Sequence, residues 1–354
     1  MAPSGGRGGA ELVLYRALSA AVVRGWTVRC LCPPGPLARD LAAAGVLTTA
    51  IPELSLPPGP RLLAHIRLGI RTLTAAVAVR RSAAGADGIL LNGLLGLPAV
   101  ALARSRLPVV YLVHEVIRRP DRVRLLRWLR GAVDTTIAVS TASAAALADA
   151  GLDALVVPNG TLWPVEPALP SPPSPAIVGC VAALTVGKGQ HVLLEALSLL
   201  ERADVLVELV GEALPKDDAY AAALRAQADA VELRDRVRFL GHVAKPLDRI
   251  RTWTVAVLPS VEPEAQPLAV LEAMSLGVPV VGTDHGGIPE TLGEAGLVVP
   301  PGDATALADA LARLISDAAV HRRCAAAGPI RVARSYALSE RIAELLDAIA
   351  APLA

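Results

Sequence analysis

Short apolar runs alternate with helical segments along almost the whole chain of 354 residues. The runs are rich in valine, leucine and isoleucine, as expected for parallel strands that are buried on both faces. Helices between such strands predict an α/β protein with parallel sheets. The predicted strands are 27–32, 88–91, 109–113, 135–139, 154–157, 176–181, 205–210, 237–240, 255–259, 278–281 and 296–299.

A proline-rich segment divides the chain near residue 165. Residues 163–175 hold six prolines and show no periodic pattern, which is typical of a semi-rigid linker. A chain of this length is also too long for a single core. We therefore predict two doubly wound Rossmann-like domains, residues 1–165 and 166–335. Residues 336–354 are expected to form a C-terminal helix that packs back toward the first domain.

The formal net charge of +1 conceals two oppositely charged halves. Residues 1–165 hold 18 arginines, no lysine and 9 acidic residues, a net of +9, whereas the remainder holds 16 basic and 24 acidic residues, a net of −8. Much of the positive charge lies on two predicted helices, between Arg61 and Arg81 and between Arg118 and Arg130. Arginines with leucine and tryptophan at helical spacing can bind an anionic membrane, although a solvated helix face explains each cluster equally well. Nucleic acid is a weaker candidate, because stacking aromatic residues are scarce.

The cysteines and apolar stretches favour a cytoplasmic protein. The four cysteines are Cys30, Cys32, Cys180 and Cys324. They show no metal-ligand spacing and are expected to stay reduced. The longest apolar stretch, 88–103, is interrupted by Asn92 and Pro98 and is too short to span a bilayer. The Gly-rich N-terminus lacks the apolar core of a secretory signal. If the arginine clusters bind lipid, the location extends to the inner face of the membrane.

Two carboxylates eight residues apart, Glu264 and Glu272, mark the most informative segment, residues 260–290. Eight residues turn a helix by about 80° beyond two full turns, so these side chains would not share one helical face. We place Glu264 on a loop before a helix and Glu272 inside that helix. This spacing suits two hydroxyl-rich groups of one long ligand better than a metal ion. The alternative is a surface helix with incidental acids.

The same segment resembles the signature of the nucleotide-sugar-dependent glycosyltransferases of family 4, which have the two-domain GT-B fold. That signature reads E-G-x-P-x-x-x-x-E-A-M, then G-x-P-V-V and G-G-x-x-E. This chain has E-A-Q-P-L-A-V-L-E-A-M from residue 264, G-V-P-V-V from 277 and G-G-I-P-E from 286, with Ala265 where Gly or Pro is usual. The resemblance implies parallel sheets of two domains facing a central cleft. It also implies retaining transfer of a hexose-type sugar from a nucleotide diphosphate to a hydroxyl acceptor.

The resemblance also implies roles for single residues. Glu264 would hold the hydroxyls of the sugar, and Glu272 those of the ribose. Lys188 would contact the donor diphosphate. The helix dipole does not favour an ammonium at a helix start, so a negative ligand would explain its position. Many relatives carry an arginine at the position of Ala183, and what replaces it here is open. His114, at the end of an apolar strand, would contact the transferred sugar, with a buried structural histidine as the alternative.

Further donor-binding residues are implied on the loops. Gly8 and Gly9 open a helix, where backbone N–H groups favour phosphate. The others are Gly189, Gly211, Gly241, His242, Val243, Ala265, Gln266 and Leu268. No metal site is expected, and no cofactor besides the donor substrate, for which UDP is slightly favoured over GDP.

The first domain lacks an apolar strand before Gly8. Such a strand needs about five to six residues of Val, Ile or Leu character, and Met1 to Arg7 offers no such run. A missing central strand would leave two rows of unpaired backbone groups. We therefore expect either a natural start upstream of Met1 or an unfilled slot between the strands at 27–32 and 88–91.

Three functions stay open at this point. The first is the glycosyltransferase, acting in cell-envelope glycan, glycolipid or natural-product biosynthesis. The second is another enzyme of GT-B type, such as a sugar phosphorylase or a nucleotide-sugar epimerase. The third is a catalytically idle relative that serves as a partner subunit. Glu264 and Glu272 together with Lys188 favour the first, whereas the missing strand and Ala183 would suit the third.

Overall fold

The computed structural model describes residues 1–6, 8–55, 61–162, 175–200, 202, 204–214, 217–230 and 233–353. The chain forms two compact units, one of Met1–Asn159 with Ser339–Ala354 and one of Gly160–Leu338. The C-terminal helix thus belongs to the first unit. Apart from Pro175, the segment in which the linker was predicted lies outside the described residues.

Both units alternate strands with helices, as the apolar pattern predicts. The strands are β1 (Arg29–Cys32), β2 (Leu47–Ala50), β3 (Ile89–Asn92), β4 (Val109–Val113), β5 (Thr135–Ala138), β6 (Leu155–Val156), β7 (Ala176–Val181), β8 (Val205–Val210), β9 (Val237–Gly241), β10 (Val255–Leu258), β11 (Val280–Thr283) and β12 (Gly296–Val299). The helices are α1 (Gly9–Val23), α2 (Pro36–Ala43), α3 (Arg61–Ser82), α4 (Leu97–Ala103), α5 (Pro120–Leu129), α6 (Thr141–Ala148), α7 (Gln190–Leu199), α8 (Asp218–Ala228), α9 (Pro246–Ile250), α10 (Leu268–Ser275), α11 (Ile288–Leu292), α12 (Ala304–Ser316), α13 (Ala318–Ser335) and α14 (Leu338–Ala350).

In the first unit, the N-terminal segment Met1–Pro3 lies between two groups of parallel strands. β1 pairs with β2, and β3, β4, β5 and β6 pair in that order. Ala2 donates its backbone hydrogen to Leu31 in β1 at 2.9 Å, and Asn92 in β3 donates to Met1 at 2.9 Å. The expected open slot is therefore wrong, because a backbone segment of any composition can supply these hydrogen bonds.

The second unit contains one parallel sheet in the order β12-β11-β10-β7-β8-β9. β7 and β10 are neighbours, although β8 and β9 separate them along the chain. Ligands of doubly wound sheets bind beyond the carboxyl ends of the strands, where the strand order reverses. In this sheet the reversal lies between β7 and β10, so the loops that follow these two strands lie side by side.

Candidate functional site

Lys188 and Glu264 form an ion pair at the carboxyl edge of the second sheet. Lys188 ends a short turn after β7, and Glu264 lies on the loop after β10. The side chain of Lys188 is 30% exposed and that of Glu264 is 16% exposed. Water therefore screens the pair only partly, and a ligand can still reach both groups.

Two glycines allow the loops after β7 and β10 to touch. The carbonyl of Gly187 accepts hydrogen bonds from the backbone of Val261 at 2.9 Å and of Glu262 at 3.1 Å. Gly189 has a φ of +68°, and a Cβ there would come within 1.9 Å of the Pro259 carbonyl oxygen. Only glycine fits this left-handed position at such a short distance. Gly187 and Gly189, on either side of Lys188, thus allow its ammonium to reach the carboxylate of Glu264.

A buried hydroxyl donates to the same carboxylate oxygen that Lys188 contacts. Ser260 donates from Oγ to Oε1 of Glu264 at 2.8 Å, and its own carbonyl accepts from Thr283 Oγ1 at 2.8 Å. The backbone of Glu264 is fixed as well, because its carbonyl accepts from Gly287 at 2.7 Å. Ser260 is fully buried. The sequence analysis missed it, although a serine just past the end of β10 and four residues before Glu264 was a usable signal.

The second glutamate, Glu272, lies inside α10 and is buried. The structure thus places the two glutamates on different elements, the arrangement that their spacing predicts. Ala265 and Gln266 are buried in the loop before the helix, and Leu268 is the first residue of α10. The proline at 267 caps the helix in an extended conformation and separates loop from helix.

The loops after β8 and β9 meet through their backbones. Gly211 has a φ of +136° and donates to the carbonyl of Gly241 at 2.8 Å. Gly241 ends β9 with a φ of +64°, and the backbone of His242 donates to Glu212 Oε1 at 3.3 Å. Val243 packs against the core. These residues form a backbone-lined edge of the sheet beside the loop that carries the lysine.

His114 directly follows β4 in the first unit and contacts Asn92 at the end of β3. Its Nε2 lies 2.8 Å from Asn92 Oδ1. Burial lowers the pKa of His114 from its usual 6.5 to about 4. The imidazole is therefore neutral near pH 7, and in this arrangement Nε2 donates to the amide oxygen. Asn92 is buried and was missed, because an asparagine that ends an apolar strand carries no periodic signal.

Gly8 and Gly9 lie at the start of α1, also in the first unit. Gly8 is the N-cap residue and Gly9 the first helical residue, so the two glycines open the helix. Both glycines are exposed. The carboxylate of Glu11 lies 2.5 Å from where a Cβ on Gly8 would stand. A negative side chain thus already lies close to this helix start.

Ala183 is exposed, and its carbonyl takes part in a buried polar network. Gln190 Nε2 donates to that carbonyl at 2.8 Å, and Tyr220 donates to Gln190 Oε1 at 3.1 Å. Gln190 is fully buried, so this network fixes the start of α7. Across the described part of the chain, no group of three or more His, Cys, Asp or Glu side chains is arranged to hold a metal ion.

Glu208 forms a buried ionic cluster within β8, behind the site loops. Its side chain is fully buried and accepts hydrogen bonds from Arg249 Nε at 2.6 Å and from Trp253 Nε1 at 2.9 Å. Burial alone would raise the pKa of Glu208, but the bonds from Arg249 and Trp253 and the charge of Arg238 outweigh it and lower the pKa. Glu208 therefore stabilises the fold as a structural carboxylate.

Two family descriptions match the chain, one on each side of residue 165. Residues 7–161 match the family described as Glycosyltransferase Family 4, and residues 175–317 match the one described as Glycosyl transferases group 1. The lipopolysaccharide core biosynthesis mannosyltransferase LpcC of Rhizobium leguminosarum is 30% identical over 258 residues, 68% of each chain.

Other relatives align over shorter segments. A phosphatidyl-myo-inositol mannosyltransferase of Mycobacterium leprae is 37% identical over 153 residues, which cover 42% of this chain and 39% of that protein. The putative colanic acid biosynthesis glycosyltransferase WcaL of Escherichia coli is 35% identical over 155 residues, which cover 40% of this chain and 36% of WcaL. The matched region thus spans less than half the length of these two relatives.

The structure resembles solved glycosyltransferases over nearly its full length. Anabaena HepE, solved in complex with UDP and glucose, has a TM-score of 0.82 at 24% identity, over 98% of this chain and 97% of HepE. The galactosyltransferase WaaB in its apo form has a TM-score of 0.72 at 17% identity, over 99% of each chain. These likenesses show the GT-B fold. Together with the family matches and the identity to LpcC, they show that the chain belongs to glycosyltransferase family 4.

Proposed function

We propose that the protein transfers a hexose-type sugar from a nucleotide diphosphate to a hydroxyl acceptor, with retention of anomeric configuration. The observation that carries the proposal is the contact between Lys188 and Glu264 at the carboxyl ends of neighbouring strands, with Glu272 in the helix that follows. Under this proposal the cation, the carboxylate for the sugar and the carboxylate for the ribose stand on three adjoining elements. The names of LpcC and WcaL support a role in assembling a cell-envelope glycan.

In this mechanism, Lys188 stabilises the leaving group. As the bond from the anomeric carbon to the diphosphate breaks, negative charge develops on the β-phosphate, and a positioned cation lowers the energy of that state. Glu264 accepts hydrogen bonds from the sugar hydroxyls, and Glu272 from the ribose. Without donor, Lys188 and Glu264 bond to each other. Donor binding therefore exchanges one contact for two, lysine to phosphate and glutamate to sugar.

We propose UDP as the nucleotide, with the backbone from Gly241 to Val243 at the edge of the base. The support is the fold of HepE, whose structures contain UDP, UDP with glucose, and UDP-glucose. The test compares thermal stabilisation by UDP and by GDP, together with turnover of UDP-glucose. Stabilisation by UDP with loss of turnover in Glu264→Gln is the expected result. Stabilisation by neither nucleotide would favour an idle partner subunit.

The proposal also includes a cytoplasmic location with peripheral contact to an anionic membrane. The alternative reaction for an enzyme of GT-B type is that of a sugar phosphorylase, which predicts donor cleavage that depends on inorganic phosphate. Turnover that needs a hydroxyl acceptor and is unchanged by added phosphate supports the transferase. We propose that the reaction needs no resident metal, so turnover should survive EDTA.

A further inference from the structure

Helix α3 carries bulky apolar side chains on the face that is turned away from the protein. The exposed residues are Leu62, Leu63, Ile66, Ile70, Leu73 and Val77, with exposed fractions from 49% to 75%. At about 100° per residue they fall within one continuous arc of about 100°. We name this arc the outer stripe. The buried residues Ala64, Ala75 and Val79 lie on the opposite side of the helix.

The inner face of α3 is part of the folded first unit. Ala75, Ala76 and Val79 belong to its hydrophobic core, and the helix packs along α4. Within the residues that the structure describes, Leu62–Ser82 is the one helix whose length and composition would suffice to cross a bilayer. A helix that is tied to a core along one side does not leave it to span lipid. The outer stripe is therefore a surface feature, in a place where a surface helix is normally polar.

The charges of α3 select the kind of surface that fits the stripe. The helix contains no acidic residue, and Arg67, Arg80 and Arg81 are exposed. On the same helical projection, Arg67 lies beside the outer stripe, and Arg80 and Arg81 lie at its two edges in the last turn. The α3 of a second copy docked on this face would offer these arginines no carboxylate partner. An anionic bilayer instead offers an acyl layer to the stripe and phosphates to the guanidinium groups.

Helix α5, the other arginine-rich helix, uses part of its charge within its own unit. Arg122 is paired with Glu115, and Arg127 donates to a backbone carbonyl at 2.6 Å and 3.1 Å. Arg119 is paired with Asp121 at 3.1 Å. The arginine clusters of α3 and α5 look alike in the sequence but differ in the structure, and α3 is the better candidate for membrane contact.

We propose that α3 lies flat in the interface of an anionic bilayer, with the outer stripe in the acyl boundary and its arginines at the lipid phosphates. At about 1.5 Å per residue the helix is about 33 Å long, so it forms an extended contact. This contact does not depend on the sugar-transfer proposal, because α3 contributes no residue to the site described above.

The test measures co-sedimentation of the full chain with vesicles of phosphatidylcholine alone and of phosphatidylcholine mixed equally with phosphatidylglycerol. Ile66→Gln, Ile70→Gln and Leu73→Gln together should lower partitioning onto the mixed vesicles at least about tenfold, because three apolar side chains leave the acyl boundary. Glutamine preserves helix propensity. The matched control replaces Val23, Leu155 and Ile330, which lie elsewhere and are at least about half exposed, with glutamine, and it should bind like the unchanged protein.

A second variant tests the charges. Arg67→Gln, Arg80→Gln and Arg81→Gln together should remove most of the preference for anionic vesicles and its salt dependence. The far-UV circular dichroism spectrum and the melting temperature serve as the folding control in every variant. Unchanged binding of the Ile66, Ile70 and Leu73 variant would overturn the proposal. So would a dimer in solution that the same variant dissolves, or equal binding of the unchanged protein to neutral and anionic vesicles.

Discussion

The ion pair between Lys188 and Glu264 leads to a test in which two substitutions should change UDP affinity in opposite directions. Without donor the ammonium bonds to the carboxylate, so a diphosphate must compete with Glu264 for the lysine. Glu264→Gln removes the competing charge and keeps the shape of the side chain. Lys188→Ala removes the cation itself. UDP carries a diphosphate but no transferable sugar, so it gives Glu264 no new partner in return.

The magnitudes follow from the exposure of the two groups. A charge-assisted hydrogen bond contributes about 1.5–3 kcal/mol, so Lys188→Ala should raise the Kd of UDP about 10- to 150-fold. The pair itself is weaker, because its side chains are 30% and 16% exposed and water screens them in part. Releasing Lys188 from it should contribute about 1 kcal/mol or less. Glu264→Gln should therefore lower the Kd of UDP by up to about fivefold.

Titration calorimetry with UDP measures both constants, and turnover of UDP-glucose is measured in parallel. Glu264→Gln should lose turnover while it binds UDP as well as or better than the unchanged protein. Glu262→Gln is the matched control, since this exposed carboxylate lies on the same loop, and it should leave both quantities nearly unchanged. The reasoning fails if Glu264→Gln weakens UDP as Lys188→Ala does. It also fails if Glu262→Gln strengthens UDP binding equally, because the effect would then come from the loss of any negative charge near the site and not from the release of Lys188.

Three further predictions concern groups that support the site or the fold. Ser260→Ala should lower the single-turnover rate constant about fivefold with little change in the donor Kd, because one hydrogen bond no longer orients Glu264. Arg249→Ala should cost about 1–3 kcal/mol of unfolding free energy in urea, because Glu208 keeps Trp253 and Arg238 as partners, and adding Glu208→Gln should restore part of that loss. His114 takes up a proton on unfolding between its usual pKa of 6.5 and its folded pKa of about 4, so stability should fall as pH decreases through that window, and His114→Asn should flatten the slope of unfolding free energy against pH.

The strands of the protein were predictable because most of them are buried. A parallel strand that is covered on both faces is a continuous apolar run, and every predicted run overlaps a strand, with ends shifted by up to two residues. β2 escaped prediction, because all four of its residues, Leu47–Ala50, are exposed and offer no such run. Its pairing with β1 rests on backbone hydrogen bonds, which composition does not reveal.

The N-terminal segment was missed for a related reason. The search for a first strand required five or six apolar residues, yet Met1–Pro3 bridges β1 and β3 with only a few hydrogen bonds. These bonds use the main chain alone. Met1 and Ala2 are nevertheless buried. A few residues thus lie between β1 and β3, where the sequence analysis expected a strand of five or six apolar residues.

In the site, the sequence located the elements but not the contact. The spacing placed Glu264 on a loop and Glu272 in a helix, and the glycines around Lys188 indicated a tight turn. The lysine and Glu264 stand 76 positions apart, and their contact requires β7 and β10 to be neighbours. Strand order is a property of the whole sheet, since it depends on how every helix packs. The pattern of a single segment therefore cannot give it.

The proposed membrane contact shows why the number of charges on a helix is a poor guide to what its surface binds. α3 and α5 both looked like arginine-rich helices with aliphatic residues, and only the fold distinguishes them. On α5, Arg122 already forms an ion pair with Glu115, which lies on the loop before the helix. α3 has no acid of its own, and its outer stripe presents side chains that lose contact with water only if something covers them. The attraction to lipid thus depends on which arginines have partners within the fold. A salt titration of vesicle binding should respond to the arginines of α3 and be almost indifferent to Arg119, Arg122 and Arg127.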